Sequence, residues 1–508
     1  MKLKNISNLG VLALLSLSSY HLCAKSTHQP KKLPNNKKHV VKIQTEADIR
    51  LQEIIIQQNL TASIPDLSNL PRLNHPVSQL GMKLFFSKAL GGEKTVACAS
   101  CHHPRIGGAD GLSFPIGTNA VDPDIIGPLR LTSETINIPR NSPTIFNVGL
   151  SNSSLFWDGR VERFTITDSQ GNEQEVISTP DSGFGVPDLD VGNDLVGALS
   201  RFPVTSVEEM RGAAFENAFN NQSVREHLAE RLGNYGSGNG DLEKNNWLNE
   251  FRRAFNSTDN AESLITFDSI ALALGQYQSS VNLINSPWSA YLKGDFNALS
   301  QAQKRGANLF FSQISDGGAG CVNCHGGTRF SNDGFFNLAF PQFGIGTGDQ
   351  NIDHGRFDID PQQRNMFAFK VPSLLNVELT GPYGHSGAYE TLEEVVAHYV
   401  NPADAINNFF SKGGACGLSQ FKNDASCEIL NNNAQNNSLQ ALALLQLSPF
   451  VSPPLDVSQQ DDLVQFLKAL TDKCAKDHRC VRKFEPSKLS QDPDELRLNL
   501  QMIIRGKA

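Results

Sequence analysis

Along this chain apolar residues recur at helical spacing in several stretches, and strand-like alternation is scarce. In 45–60, "TEADIRLQEIIIQQNL", the apolar positions follow helical spacing behind an acidic first turn, which predicts a helix. Residues 265–284, "ITFDSIALALGQYQSSVNLI", predict a strong amphipathic helix. In 391–401, "TLEEVVAHYVN", Leu392, Val395, Val396 and Tyr399 share one face, so Tyr399 points inward while Glu393 and Glu394 face out. One unit occurs twice, as "GMKLFFSKALGGEKTVACASCH" (81–102) and "GANLFFSQISDGGAGCVNCH" (306–325). Two copies imply two similar domains, each built helix–loop–motif. Gly81 and Gly306 mark close helix packing, and Leu84, Phe85, Leu309 and Phe310 are expected inside. Residues 285–295, "NSPWSAYLKGD", read as the connection between domains, and 431–440, "NNNAQNNSLQ", as a polar loop insertion. The fold class is mainly α, with long irregular loops rich in Gly, Pro and Asn.

The chain has 508 residues, enough for two or three domains with real cores. Its net charge of -8 and pI near 5.9 argue against nucleic acid as a partner, because phosphate binding needs a basic surface. Residues 1–24 read as a signal peptide: Lys2 and Lys4, a short apolar run, then Ala24 at a small-residue cleavage point. Lipidation of Cys23 is poorly served by His21 and Leu22 before it. Residues 25–44 read as a flexible Lys-, Pro- and Asn-rich leader. No later stretch is long and apolar enough to span a membrane. The expected destination is the periplasm, an oxidising compartment. Nine cysteines fit that: four of them, Cys416, Cys427, Cys474 and Cys480, can form two disulfides. Short loops favour Cys416–Cys427 and Cys474–Cys480, although four cysteines permit three connectivities.

The repeated unit ends each time in Cys-x-x-Cys-His, the attachment signature of c-type haem. Two thiols add to the haem vinyl groups and the adjacent histidine is carried under the iron. Cys98, Cys101 and His102 are thus expected to hold one covalent haem, and Cys321, Cys324 and His325 a second. The competing readings are a zinc site or a redox dithiol. The expected architecture is two similar helical domains, 45–288 and 289–480, followed by a tail, 481–508. Methionine is scarce, with only Met366 inside the second domain as a sulfur ligand. The phenol of Tyr399, at the inward end of its stripe, could be core packing or could reach an iron.

The motifs "CASCHHPRIGGADGLSFPIG", "PRNSPTIFN", "FWDGR", "FPVTSVEEM", "CVNCHGG", "FKVPSLLNVELTGPYGHSG" and "TLEEVVAHYVN" follow in order over residues 65 to 475. Together they resemble the bacterial di-haem cytochrome c peroxidase and MauG family. The resemblance implies two cytochrome c-like helical domains, with hydrogen peroxide reacting at the N-terminal haem. It matches Trp157 to a tryptophan lying between the haems, Glu209 to a distal acid–base and Pro203 to a residue shaping that pocket. It also implies one calcium ion between domains, held by Asn141, Thr380 and Pro382.

The chain departs from the electron-transfer peroxidases of that family. Where many of them place a distal histidine, this chain has Thr118, and Leu199 replaces a distal glutamine. Fourteen residues after His385, where they supply a methionine, stands Tyr399, as in MauG and its relatives. These departures imply an open first haem and a second, His/Tyr-ligated haem that stores or relays oxidising equivalents. The expected activity is a peroxidase of MauG-like ligation. Its electrons would come from a small cytochrome c or copper protein, or from residues of a protein substrate. A di-haem electron carrier would need both irons six-coordinate, and a peroxide sensor would share the same site. No motif assigns a purpose to the insertion between Arg160 and Pro203.

Overall fold

The computed structural model describes residues 45–499 apart from 133, 135, 216–219, 349–350, 423, 425–426 and 488–490. The expected signal peptide, leader and last residues of the tail lie outside the described residues. The chain is mainly helical, with long loops.

Two cores form around crossed helix pairs. In the first, Pro76–Phe86 crosses Phe267–Ser280, flanked by Asn221–Gly233 and Trp247–Phe255, and Leu84, Phe85, Leu274 and Tyr277 are buried among them. In the second, Gln301–Phe311 crosses Val457–Lys468, with Leu392–Val400 beside them. The sequence starts these helices with side-chain caps: Thr266 with Ser269, Ser300 with Gln303, Thr391 with Glu394 and Asp456 with Gln459 each close a reciprocal pair of hydrogen bonds. At each crossing stands a glycine of the repeat. A Cβ on Gly81 would lie 1.8 Å from the Ala273 carbonyl oxygen, and one on Gly306 would lie 1.9 Å from that of Asp462. Leu84, Phe85 and Phe310 are buried, whereas Leu309 is only half-buried.

The two ends of the chain pack away from their sequence neighbours. Helix Glu46–Gln57 buries Leu51, Ile54 and Ile55 in the second core, and its Asp48 pairs with Lys304. Residues after Cys480 strap the first core. Val481, Phe484 and Leu498 are buried there, Asp494 accepts from Ser87 Oγ at 2.6 Å and Trp247 Nε1 at 2.9 Å, and the Tyr277 hydroxyl donates to Phe484 O at 2.7 Å.

Two stretches differ from their expected form. The segment 285–295 is not a bare connection: Pro287–Leu292 is helical, and it buries Trp288 and Tyr291 in the second core. Most of the polar run 431–440 belongs to helix Ala434–Leu445. Inside the insertion, strands Val161–Thr167 and Glu173–Ser178 form an antiparallel hairpin in register Glu162–Ser178 to Thr167–Glu173. Disulfides join Cys416 to Cys427 and Cys474 to Cys480. Among the described residues no helix is long and apolar enough to cross a membrane.

Candidate active site

Each Cys-x-x-Cys-His motif sits on a short helical turn, Cys98–Cys101 and Cys321–Asn323. The turns present their histidines alike. His102 Nδ1 lies 2.9 Å from Pro143 O, and His325 Nδ1 lies 2.9 Å from Phe330 O. A carbonyl partner requires the proton on Nδ1, so Nε2 is left with its lone pair. Burial holds both imidazoles down at about 4, hence neutral, the form that binds metal. The four motif cysteines are free thiols, and burial pushes Cys98 and Cys321 up to about 12. Among the described residues the one grouping of three metal-type side chains is Cys416, Cys427 and Glu428, and its sulfurs are spent in a disulfide.

Both motifs open into one cavity of about 2010 Å³. Ordinary small-molecule pockets measure roughly 300–1,000 Å³, so this space suits two large groups. Every site residue expected from the sequence lines it: Cys98, Cys101, His102, Asn141, Trp157, Pro203, Glu209, Cys321, Cys324, His325, Thr380, Pro382 and Tyr399.

At the first motif, Glu209 rides on a single π turn, Val207–Arg211, capped by Ser206, whose Oγ accepts from Glu209 N at 3.3 Å. The turn rests on segment 117–118. A Cβ on Gly117 would lie 2.0 Å from Glu208 O, Thr118 N donates to Glu208 O at 3.2 Å, and Thr118 Oγ1 donates to Val207 O at 3.3 Å. Thr118 therefore braces the back of the Glu209 turn and is absent from the cavity wall, to which Leu199, Phe202 and Pro203 contribute. Burial raises the Glu209 carboxyl above its ordinary value; Arg160 opposes this and Glu208 adds to it.

Trp157 donates its indole N–H to Asn141 O at 2.9 Å, and its own carbonyl accepts from Lys370 N at 2.8 Å. Beside it Asp158 is a buried charge, paired with Arg140 at 2.5 Å and with the half-buried Arg160 at 3.1 Å, and Arg140 also holds Asp353 at 2.7 Å. Asn141 donates from Nδ2 to Leu112 O at 2.8 Å and from its backbone to His385 O at 2.7 Å. Thr380 Oγ1 donates to Val377 O at 3.1 Å.

At the second motif, the Tyr399 ring lies edge-on to Phe340 at 6.2 Å. Burial raises its phenol, Cys321 and Cys324 add to the shift, and Tyr399 lines the cavity into which that motif opens. The adjacent His398 is committed elsewhere: Nδ1 lies 2.8 Å from the Tyr389 hydroxyl and Nε2 lies 2.8 Å from Leu338 O. Met366 also lines the cavity.

Two cavity residues escaped the sequence reading. Arg160 lies with its guanidinium 3.5 Å from the centroid of the Phe156 ring, close enough to Glu209 to influence it; its place in "FWDGR" was the available signal. His385 stacks on Phe369 at 3.7 Å, and burial holds it at about 4. Nothing in its spacing announced that stack.

A model of the di-haem cytochrome c peroxidase family, CCP_MauG, matches residues 76–297. The cytochrome c551 peroxidase of Pseudomonas aeruginosa is 27% identical over 319 residues, 63% of this chain and 70% of that protein. The methylamine utilization protein MauG of Methylorubrum extorquens is 28% identical over 321 residues, 63% of this chain and 67% of that protein. The chain is similar to the di-haem cytochrome c peroxidases and to MauG. Di-haem peroxidases carry two haem cofactors and are oxidoreductases, and that is the class of protein this chain resembles. The fold is that of a crystallised MauG-like protein associated with microbial copper homeostasis, with a TM-score of 0.53 and 22% identity over 85% of this chain and 98% of that one. The neutral histidines, free thiols and wide cavity fit the family's haems.

Proposed function

We propose that the protein is a periplasmic di-haem peroxidase that reduces hydrogen peroxide beside Glu209. The observation that supports this best is a half-buried carboxyl with raised proton affinity on the wall of the cavity into which the first motif opens, while position 118 sends no side chain into that cavity. Cys98, Cys101 and His102 would hold one haem c, and Cys321, Cys324 and His325 a second, which would supply the one-electron iron chemistry.

Glu209 takes the proton from the near oxygen of peroxide and returns it to the far one, so the O–O bond breaks with water leaving. One peroxide, two protons and two electrons give two waters. Pro203, Leu199 and Phe202 keep bulk water from that proton. Trp157, fixed through Asn141, is the relay for oxidising equivalents. Tyr399 is the candidate second-iron ligand, since an oxygen donor favours higher iron charge more than a thioether does. Asn141, Thr380 and Pro382 would hold calcium through their oxygens. The electrons come from a small cytochrome c or copper protein. A phenol at 399 instead of methionine favours a second reading, in which residues of a partner protein are oxidised.

Stopped-flow mixing of the fully oxidised protein with peroxide tests the proposal. A spectral response without prior reduction is expected, followed by turnover when reduced cytochrome c is added. No response until an electron is supplied overturns it.

A further inference from the structure

The 161–202 insertion carries no recognisable motif, yet it reaches the Glu209 end of the cavity. Beyond the hairpin, residues 179–188 form a tight unit. Thr179 donates to the Asp188 carboxylate, Gly183 N donates to Thr179 O at 2.8 Å, and Ser182 Oγ donates to Val186 O at 2.8 Å. Pro180 lines the cavity, and so does Asn221, across from it at the start of helix Asn221–Gly233.

Asp181 ties the two sides together. Its carboxylate accepts from Asn221 Nδ2 at 2.7 Å and pairs with Arg225 at 2.6 Å. The Arg225 side chain is only 2% exposed; it meets Asp181 through Nη1, and its Nη2 has no hydrogen-bond partner. Its Nε donates to Arg201 O at 3.0 Å, and its guanidinium lies 5.0 Å from the ring of Phe202, itself part of the cavity wall. A buried guanidinium with so few partners depends on Asp181, so the tie is firm. From the other side Arg356 holds the hairpin, pairing with Glu162 at 2.6 Å and lying 4.7 Å from the Phe184 ring.

We propose that Asp181 sets oxidant specificity: the Asp181–Arg225–Asn221 latch closes the insertion over the Glu209 end, admitting hydrogen peroxide and excluding bulky organic hydroperoxides. Asp181 is a positioning residue, acting through Pro180 and Asn221. The proposal rests on the reading of that end as the peroxide site.

The test uses the holoprotein and two pairs of probes: hydrogen peroxide against cumene hydroperoxide, and cyanide against 4-phenylimidazole as optical ligands of the ferric first haem. Asp181→Ala is expected to speed both bulky probes roughly tenfold or more relative to the small ones, the scale on which a pocket discriminates by size. Hydrogen exchange in 179–188 should rise with it. An unchanged bulky-to-small ratio overturns the gate, and unchanged exchange overturns the latch. If Asp181→Ala fails to fold, Asp181→Asn and Asn221→Ala, which weaken the latch without emptying it, must move the ratio in the same direction or the proposal fails. Wild-type protein that binds cyanide but ignores peroxide refutes the peroxidase reading alone, since the ligand ratio still tests the gate. Protein that binds neither small probe has no entry to gate, and the proposal falls.

Discussion

Helices Pro76–Phe86 and Gln301–Phe311 meet their crossing partners through the same device, a glycine set against a backbone carbonyl. Each leads into a Cys-x-x-Cys-His turn whose histidine gives its Nδ1 proton to a carbonyl. Up to that point the halves are copies. Other parts of the shared cavity wall come from outside the repeat: a carboxyl on Val207–Arg211 and a phenol on Leu392–Val400. The difference teaches that the repeat builds the seat; on the proposed function, the unrepeated segments decide what each seat does.

The strongest way to break this comparison is to remove one seat at a time. Cys98→Ala with Cys101→Ala should lose one covalent haem and all rapid reaction with peroxide. Cys321→Ala with Cys324→Ala should lose the other haem yet keep the first spectral response. Haem counts on denatured protein, read beside stopped-flow traces, check both. Equal loss of reactivity in the two variants would mean the seats do not divide the work.

Next in size is Glu209→Gln, expected to slow the peroxide step by about 10²–10⁴-fold with both haems retained. Because burial raises the Glu209 carboxyl above 4.5, the wild-type rate should climb as pH rises through that raised value, where the base becomes ionised. The folded protein also holds this proton more tightly than the unfolded chain, so stability should fall slightly across the same window. In Glu209→Gln both dependences should flatten. A pH–rate profile that keeps its shape moves the proton to another group, with Glu208 the first to test.

Much of the site was legible because its signals are local. The haem motifs are contiguous, the crossing glycines stand at the same place in both repeats, and the side of Tyr399 follows from helical period. The rest depends on distant partners. Helix Ala434–Leu445 hid because polar Asn437 and Ser438 fill buried positions, where Asn437 Nδ2 donates to Asn351 O at 3.2 Å and Ser438 Oγ accepts from Gln342 N at 2.8 Å. The hairpin hid because most of Val161–Thr167 is half-buried, with no clean in–out alternation. Nothing near Leu51 or Phe484 states that each will pack in the core at the other end of the chain.

Tyr399→Phe sharpens the comparison at the second seat. The ring should stay packed against Phe340, while the ferric spectrum of one haem shifts toward high spin. Its potential should move by about a tenth of a volt or more, within the roughly 0.8 V that axial ligands span. The initial response to peroxide should change little, because Glu209 is untouched. An unaltered spectrum and potential would make Tyr399 a packing residue and bring Met366 forward as the ligand.

The smallest effect tests the seats themselves. Gly81→Ala and Gly306→Ala each gain about 1 kcal/mol of helix propensity. Against that, the new Cβ would stand 1.8 Å from Ala273 O in the first core and 1.9 Å from Asp462 O in the second. Both atoms are helix backbone, so neither contact is relieved by a side-chain rotation and the helices must part. Overpacking of this kind costs about 1–3 kcal/mol or more, which outweighs the propensity gain. Each variant should therefore melt lower by a few degrees, at roughly 2–4 °C per kcal/mol for a unit of this size. Copies should suffer alike, so the two losses should agree within about 1 kcal/mol. Thermal melts of the two holoproteins decide it: a large loss for one and none for the other would show that the crossings are not equivalent, and that the division between the sites begins inside the repeat.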